Sequence, residues 1–225
     1  YERAVEAYCR YYFIAFPNHE LEAGRGARRS PLYDTLKRQG AVYGNKFGWE
    51  RPNWFAPSGT PAVEVPTFER GPAFDAIAAE HRAVRERVAL IDMSSFSKFE
   101  VRGAGALALL QKLAVNDLDK PEGSIVYTQL CNERGGIEAD VTITRLGAQR
   151  FYFVTGSALG VRDRSTIERH LPADGSVDIV DHTSAKAVLN LCGPRSRDVL
   201  AQLTDAPLDN AAFPYMSARE LDLAF

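Results

Sequence analysis

The sequence predicts an α+β fold with a mixed or mainly antiparallel sheet. The composition is that of an ordinary globular protein, with 45% hydrophobic and 25% charged residues over 225 positions. Several segments alternate polar and apolar residues with the period of a strand, and others space apolar residues as one face of a helix does. The strand-like segments occur both as a hairpin and as neighbours of helices, which favours α+β.

The first part of the chain, residues 1–70, is predicted as a linker segment distinct from the rest. Apolar and aromatic spacing predicts a helix within residues 1–16. In "SPLYDTLKRQG", Ser30 suits the N-cap of a second helix, Pro31 its first position and Gly40 its end. "YGNKFGWERPNWFAPSGTP" is crowded with glycine, proline and aromatic residues and therefore predicts an irregular connection.

Residues 71–225 are predicted as a second domain, beginning where the composition changes near Gly71. "SKFEVRG" alternates as a strand with Phe99 and Val101 on one face and with Lys98, Glu100 and Arg102 on the other. The remaining predicted elements are a helix over 73–88, a helix over 104–114, a hairpin over 125–146, the strand "RFYFVT", a helix over 161–171, the strands "VDIVD" and "KAVLNLCG", and a helix over 194–203.

Charge and cysteine usage exclude several classes of protein. With 27 basic and 29 acidic residues, the net charge is −2, so neither nucleic acid nor a membrane surface is an expected partner. The arginines at 25, 28 and 29 are interpreted as a solvated loop. Three separated cysteines without a CxxC pair, and four histidines without HxxxH spacing, predict neither a disulfide framework nor a metal site. No apolar run is long enough to span a bilayer.

The chain begins at Tyr1, and its first methionine is Met93. We therefore expect a fragment, a processed product or a trimmed chain. The GxGxxG, GxxxxGK[ST] and GxSxG signatures are absent from the sequence, so dinucleotide, nucleotide-triphosphate and serine-hydrolase sites are not expected within it.

The stretch "LCNERGGIEADVTITRL" places a carboxylate, Asp140, in the second strand of the predicted hairpin. Aspartate is disfavoured in strands because its short side chain competes for nearby backbone donors. With Ile137, Ala139, Val141 and Ile143 toward the core, Asp140 lies on the opposite face with Glu138, Thr142 and Thr144. This face is either solvated or the wall of a ligand cleft. Across the hairpin, Tyr127 is either a core or rim aromatic or a platform for a flat heterocycle.

Longer blocks carry a resemblance to a known family. "SPLYDTLKRQGAVYGNKFGWERPNWFAP" resembles the segment that joins the flavin part to the folate part in the dimethylglycine dehydrogenase and sarcosine dehydrogenase family. "DMSSFSKFEVRG", "VYTQLCNERGGIEADVTITRL" and "AVLNLCGPRSRDVLAQL" resemble its folate-binding domain, which is similar to the glycine-cleavage aminomethyltransferase. The resemblance implies a folate-binding, aminomethyltransferase-like α+β domain, truncated at its C-terminus.

The same resemblance implies a function and a set of site residues. Asp140 matches the acid that faces tetrahydrofolate and is the expected catalytic residue; Val141, Thr142 and Tyr127 match cofactor-contacting positions. The implied cofactors are tetrahydrofolate and, in a flavin domain in cis, FAD. The implied substrate is an N-methyl amino acid such as dimethylglycine or sarcosine, whose methylene unit passes to tetrahydrofolate. The expected location is the cytoplasm, or the mitochondrial matrix in a eukaryote.

Two alternatives stay open at this point. One is a stand-alone aminomethyltransferase, which the flavin-type linker disfavours; the other is a folate-binding module without catalysis, which the retention of Asp140 disfavours. The family's flavin domain and its later Tyr-x-Gly-Glu-x-Gly block have no counterpart in these residues. The chain alone is therefore expected to be inactive.

Overall fold

The computed structural model describes residues 1–224. It comprises two compact units, the first made of Tyr1–Ser95 with Ala187–Ser196 and the second of Phe96–Lys186 with residues 197–224. In chain order the elements are α1 (Glu2–Cys9), α2 (Tyr33–Arg38), β1 (Ala41–Lys46), β2 (Trp49–Phe55), α3 (Ala73–Glu86), β3 (Ala89–Asp92), β4 (Ser97–Arg102), α4 (Ala106–Leu113), β5 (Ile125–Cys131), β6 (Ile137–Gly147), β7 (Arg150–Thr155), α5 (Gly160–Glu168), β8 (Asp178–Asp181), β9 (Leu189–Cys192) and α6 (Ser196–Leu200).

In the first unit, the segment predicted as an irregular connection is a β-hairpin, so that prediction was wrong. Strands β1 and β2 pair antiparallel, and the two residues between them, Phe47 and Gly48, both have positive φ, 54° and 88°. This is the conformation of a type I′ turn. Asparagine followed by glycine is the usual sequence of such a turn, so a phenylalanine at its first position does not indicate one. Pro52 lies beside a register shift between Val42 and Tyr43, where a residue without an N–H is tolerated.

A small core joins the hairpin to the predicted helix at 73–88, which is confirmed as α3. Val42 and Trp54 from the hairpin pack with Ala76 from the helix. The first unit also contains an antiparallel pair of strands, β3 with β9, in which Ala89 lies opposite Cys192. Only the second strand of this pair was predicted, because the first begins with three consecutive apolar residues, 89–91, and shows no alternation.

The helix expected after Ser30 begins later than predicted, at Tyr33. The Ser30 hydroxyl instead donates a hydrogen bond to the Asp92 carboxylate and accepts one from the backbone N–H of Leu32. The predicted stop at Gly40 is confirmed, since its φ of 92° lies in the left-handed region that glycine tolerates.

The arginines at 25, 28 and 29 are not simply solvated. Arg25 donates to both carboxylate oxygens of the buried Glu50, at 2.8 and 2.6 Å, and this pairing holds the pKa of Glu50 below its usual range. Arg28 and Arg29 lie over aromatic rings of Trp49 and Tyr33. The partners of Arg25 and Arg28 lie more than twenty residues away in the sequence, and a local charge pattern does not reveal them.

The second unit confirms the predicted α+β fold. Its sheet is five-stranded in the order β5-β6-β7-β4-β8, and all four pairings are antiparallel. Helices α4 and α5 contribute apolar side chains to a single core on one face of this sheet. The buried members of that core are Phe99, Val101, Ala106, Leu109, Leu110, Leu113, Leu118, Leu130, Ala139, Val141, Ile143, Phe151, Phe153, Ile167 and Val177.

The opposite face of this sheet is polar. Residues directly opposite each other in an antiparallel pair share a face, and the register places Tyr127, Thr142, Val154 and Lys98 in one row across four strands. We call this surface the polar face; its functional groups come from Tyr127, Gln129, Asp140, Thr142, Lys98 and Glu100.

The predicted alternation of β4 is confirmed, but both of its faces are buried. Lys98 and Glu100 expose only 0% and 4% of their surface. Glu100 accepts hydrogen bonds from Arg150 Nε and Nη2 at 3.0 and 3.3 Å, and His182 Nε2 lies 3.5 Å from the same carboxylate. The Arg150 guanidinium, more than any other group, holds the pKa of Glu100 below its usual range.

Part of the predicted core pattern of the β5–β6 hairpin was wrong. Ala139, Val141 and Ile143 are buried, but Ile137 is 70% exposed. A register shift between Leu130 and Cys131 interrupts the pairing next to Ile137. A bulge of this kind displaces the strand end from the sheet, so the alternation stops being a guide to burial there.

No helix in residues 1–224 is both long and apolar enough to cross a membrane. The same residues contain no group of three or more histidine, cysteine, aspartate and glutamate side chains arranged to hold a metal ion.

The close approach of Gly103 to Ser176 generates a stability prediction. Gly103 has a φ of +120°, and an added Cβ would lie 2.2 Å from the Ser176 carbonyl oxygen. Gly103→Ala should lower the free energy of unfolding by roughly 3 kcal/mol, because backbone strain adds to a clash that no side chain can relieve. Gly135→Ala is the matched control, since Gly135 also has positive φ but faces open space. Denaturant unfolding followed by circular dichroism would measure both, and equal losses would contradict the role of the clash.

The Glu100–Arg150 pair generates a second prediction, on pH dependence. Because the folded-state pKa of Glu100 is lowered, its contribution is fully present above the unfolded pKa of about 4.3 and is lost as pH falls through the folded pKa. Glu100→Gln should therefore lower the melting temperature at neutral pH, and the gap to the wild type should close in acid. The exposed Glu122 provides the control Glu122→Gln, for which a small gap is expected throughout. A Glu100→Gln gap independent of pH would show that the lost charge is not its cause.

Candidate functional site

The candidate site lies on the polar face, where β5 and β6 pair. Tyr127 lies opposite Thr142, and Gln129 lies opposite Asp140. The local sequence forms this hairpin because β-branched and aromatic residues fill positions 125–128 of β5 and 141–144 of β6. The turn closes with a hydrogen bond from the Asn132 N–H to the Gly136 carbonyl. The hairpin thereby brings Asp140 of β6 onto one patch with Tyr127 and Gln129 of β5.

The Asp140 carboxylate is held through both of its oxygens. The Tyr127 hydroxyl donates to Oδ2 at 2.7 Å, and the Gln129 amide donates to Oδ1 at 3.3 Å. Asp140 itself is exposed. A carboxylate offers about four acceptor positions, so these two bonds leave room for further donors from a ligand.

Backbone directions explain why Gln129 reaches Asp140. The Gln129 carbonyl accepts the N–H of Val115 at 3.0 Å, so the backbone of Gln129 points away from β6. Gln129 and Asp140 are therefore a non-hydrogen-bonded pair, the arrangement in which facing side chains come closest. The pairing of β6 with β7 begins only at Thr142, so Asp140 lies where β6 extends beyond its other neighbour.

The two residues that follow Asp140 were both predicted to contact the cofactor, and they face opposite ways. Thr142 is half-buried on the polar face, in the same row as Tyr127. Val141 exposes 2% of its surface and belongs to the core. A side-chain contact between Val141 and a ligand on Asp140 is therefore excluded by alternation, and its predicted role narrows to the backbone.

Tyr127 combines an open ring with a bonded hydroxyl. Its side chain is 54% exposed, which leaves part of the ring available to a flat ligand. The hydrogen bond to Asp140 is the main cause that raises the pKa of Tyr127 above its usual value, followed by desolvation and the charge of Asp140. The phenol therefore stays protonated and remains a donor at neutral pH.

This arrangement suits a ligand that is flat and carries N–H groups or positive charge. An exposed aromatic ring can stack on a heterocycle, and an ionised carboxylate accepts charge-assisted hydrogen bonds from amines. Tetrahydrofolate has both features, so the residues present fit it. One carboxylate with a phenol and an amide is a poor donor set for a metal ion, which usually binds several carboxylate, histidine or cysteine ligands.

The sequence did not single out Gln129. The only available signal was its place two residues after Tyr127, on the same face of the predicted strand. Its contact with Asp140 depends on the register of the hairpin, and that register depends on the turn and the bulge. The contact between Glu100 and His182 was likewise not predicted, because Glu100 lies on β4 and His182 lies just after β8, far away in the sequence.

The fold and the sequence both match known proteins. The aminomethyltransferase T of the glycine cleavage system from Bartonella henselae superposes with a TM-score of 0.67 at 26% identity, over 84% of this chain and 46% of that one. Sarcosine dehydrogenase from Homo sapiens is 33% identical, and 4-methylaminobutanoate oxidase (formaldehyde-forming) from Paenarthrobacter nicotinovorans is 37% identical. The pyruvate dehydrogenase phosphatase regulatory subunit from Mus musculus is also 37% identical.

Each of these three relatives aligns over 99% of this chain, but the chain spans only 26–28% of their own length. The resemblance to the dimethylglycine and sarcosine dehydrogenases is thus confirmed over nearly all residues of this chain. A family model described as the GCVT N-terminal domain matches residues 32–225. The chain is an aminomethyltransferase-like domain, and it belongs to the family of GCVT N-terminal domains.

Proposed function

We propose that this chain is the folate-binding, one-carbon-transfer part of a flavin-dependent dehydrogenase that acts on an N-methyl amino acid. The observation that carries the proposal is the exposed Asp140 carboxylate, bonded at both oxygens and set beside the open ring of Tyr127. The relationship to sarcosine dehydrogenase and to dimethylglycine dehydrogenase, the latter 32% identical in Mus musculus, supports the choice of substrate.

Two groups would supply chemistry that the side chains lack. FAD, bound in cis by another part of the intact protein, would oxidise the N-methyl group, and tetrahydrofolate would accept the resulting one-carbon unit. Asp140 and Tyr127 would hold the folate on the polar face, with Thr142 beside them.

Asp140 contributes through its charge. Oxidation of an N-methyl amine leaves a cationic iminium, which a carboxylate held in a fixed position would stabilise through its charge. The same carboxylate accepts hydrogen bonds from amine N–H groups and so orients them for attack. Val141 supports the site indirectly, because its buried side chain anchors β6 in the core on the other face of the sheet. Transfer within one site would also keep reactive formaldehyde from escaping.

The mitochondrial names of the sarcosine and dimethylglycine dehydrogenases support a mitochondrial matrix location for a eukaryotic protein, and we propose the cytoplasm for a bacterial one. The intact protein would then need an N-methyl amino acid and a flavin domain as its partners. We propose no nucleic-acid or membrane partner, given a net charge of −2.

A second candidate function is a folate-binding module without catalysis. It is favoured by the 37% identity to a protein named as a regulatory subunit. The aminomethyltransferase from Chloroherpeton thalassium matches only 67% of the chain at 32% identity, which gives a stand-alone aminomethyltransferase weaker support.

Flavin reduction distinguishes the dehydrogenase from the folate-binding module without catalysis. If the protein is the dehydrogenase, anaerobic addition of sarcosine or dimethylglycine to the protein as its gene encodes it should bleach a bound flavin. A protein without flavin, or with flavin that no N-methyl amino acid reduces, would favour the regulatory module.

The role of Asp140 is tested by Asp140→Asn in the protein as its gene encodes it. Flavin reduction should be nearly unchanged, since it occurs elsewhere. Transfer to tetrahydrofolate should fall by about 10²-fold, the usual loss when a preorganised electrostatic partner is removed. Formaldehyde should then replace methylenetetrahydrofolate as the product, measured by trapping both after a single turnover.

Asp178→Asn is the matched control, because Asp178 is also an exposed aspartate in a strand of the same sheet, where it pairs with Arg102. Its product ratio should equal that of the wild type. The test matters because one relative is named as formaldehyde-forming. An unchanged product ratio in Asp140→Asn would refute the proposed role of the carboxylate.

A further inference from the structure

Asp140 has an environment that would leave it mobile without its neighbours. It is exposed, and it lies on the part of β6 that extends beyond the pairing with β7. A short, exposed aspartate in a strand can rotate among several rotamers and can turn back to its own backbone donors. A catalytic carboxylate must instead stay within about half an ångström of one position.

We propose that Tyr127 and Gln129 are positioning residues that hold the Asp140 carboxylate in one orientation, a role that rests on the function proposed above. Each donates to a different oxygen, Tyr127 to Oδ2 and Gln129 to Oδ1. One bond would fix the direction of the side chain but leave the carboxylate plane free to turn. Two bonds on separate oxygens fix both.

The positions of the two donors are set by the sheet and not by flexible loops. Tyr127 and Gln129 lie two residues apart on β5, so they project from the same face, Gln129 directly opposite Asp140 and Tyr127 diagonally across from it. Thr128 between them is fully buried, and its hydroxyl accepts the N–H of Asn116 at 3.1 Å. This anchor holds the backbone of β5 in place, so the donors are preorganised before any ligand arrives.

This role assigns the function of Tyr127 to its hydroxyl. A tyrosine that only stacks on a heterocycle would lose little on conversion to phenylalanine. A tyrosine that positions Asp140 would lose its effect with the hydroxyl, although the ring remains. Tyr127→Phe therefore separates the two roles, and Gln129→Met removes the second donor while keeping the length of the side chain.

The first test measures transfer to tetrahydrofolate in the protein as its gene encodes it. Tyr127→Phe and Gln129→Met should each slow transfer by about 10-fold, the loss expected for one hydrogen bond to a charged group. In an Asp140→Asn background both changes should have little further effect, because they act only through the carboxylate. Gln149→Met, at an exposed glutamine of the β6–β7 turn, is the control and should leave transfer unchanged.

The second test does not depend on activity. In the chain containing isotope-labelled tyrosine, the Cζ resonance of Tyr127, assigned by its loss in Tyr127→Phe, reports ionisation of the phenol. Asp140 raises the pKa of Tyr127, chiefly by accepting the hydrogen bond of its hydroxyl. Asp140→Asn should therefore move this pKa down. Gln129→Met should move it up, because the Gln129 amide then no longer donates to the carboxylate that the phenol contacts. No shift in Asp140→Asn would contradict the contact between Tyr127 and Asp140, and no shift in Gln129→Met would contradict the contact between Gln129 and Asp140, on which the positioning role rests.

The outcomes separate this proposal from the one on which it rests. Slow transfer in Asp140→Asn, with normal transfer in both Tyr127→Phe and Gln129→Met, would overturn the positioning role and leave the proposed function intact. Normal transfer in Asp140→Asn would overturn the proposed function and the positioning role together. Loss of transfer in all three variants, with the opposite shifts of the Tyr127 pKa, would support both.

Discussion

The register between β5 and β6 is the constraint on which the candidate site depends. It places Gln129 opposite Asp140 and Tyr127 opposite Thr142. A slip of one residue would carry Asp140 into the core and Val141 onto the polar face. Burial of Val141 and Ile143 opposes that slip, because each of these side chains loses stabilisation of about 1.5–3 kcal/mol on exposure, and buried Ala139 adds a smaller term. The core thus fixes the position of a carboxylate that it does not contact.

The same principle explains why much of the fold could be predicted and some of it could not. Regular alternation in "RFYFVT" and helical spacing over residues 73–88 follow from which side chains are buried, and both elements were located from sequence. The hairpin at Ala41–Phe55 was missed because its turn holds a phenylalanine at positive φ and its second strand contains Pro52. Both residues violate local preferences that tertiary packing overrides.

The site divides in the same way. Asp140 was singled out from the sequence because aspartate is disfavoured in a strand, and the family resemblance implied a functional role for it. Its partners did not stand out, because the contact with Gln129 depends on a register that a turn and a bulge determine. Ile137 illustrates this limit, since the register shift at Leu130 and Cys131 leaves it exposed at a position where alternation predicts burial.

Two of the acidic groups on the polar face lie in contrasting environments. Glu100 is buried on β4, between β7 and β8, and is neutralised by Arg150, with His182 nearby. Asp140 is exposed near the first end of β6 and accepts hydrogen bonds from two neutral donors, Tyr127 and Gln129. A buried charge needs an opposite charge to offset its desolvation, whereas a carboxylate that must attract a cation needs partners that leave its charge intact. The difference in partners is therefore a physical reason to assign structure to Glu100 and chemistry to Asp140.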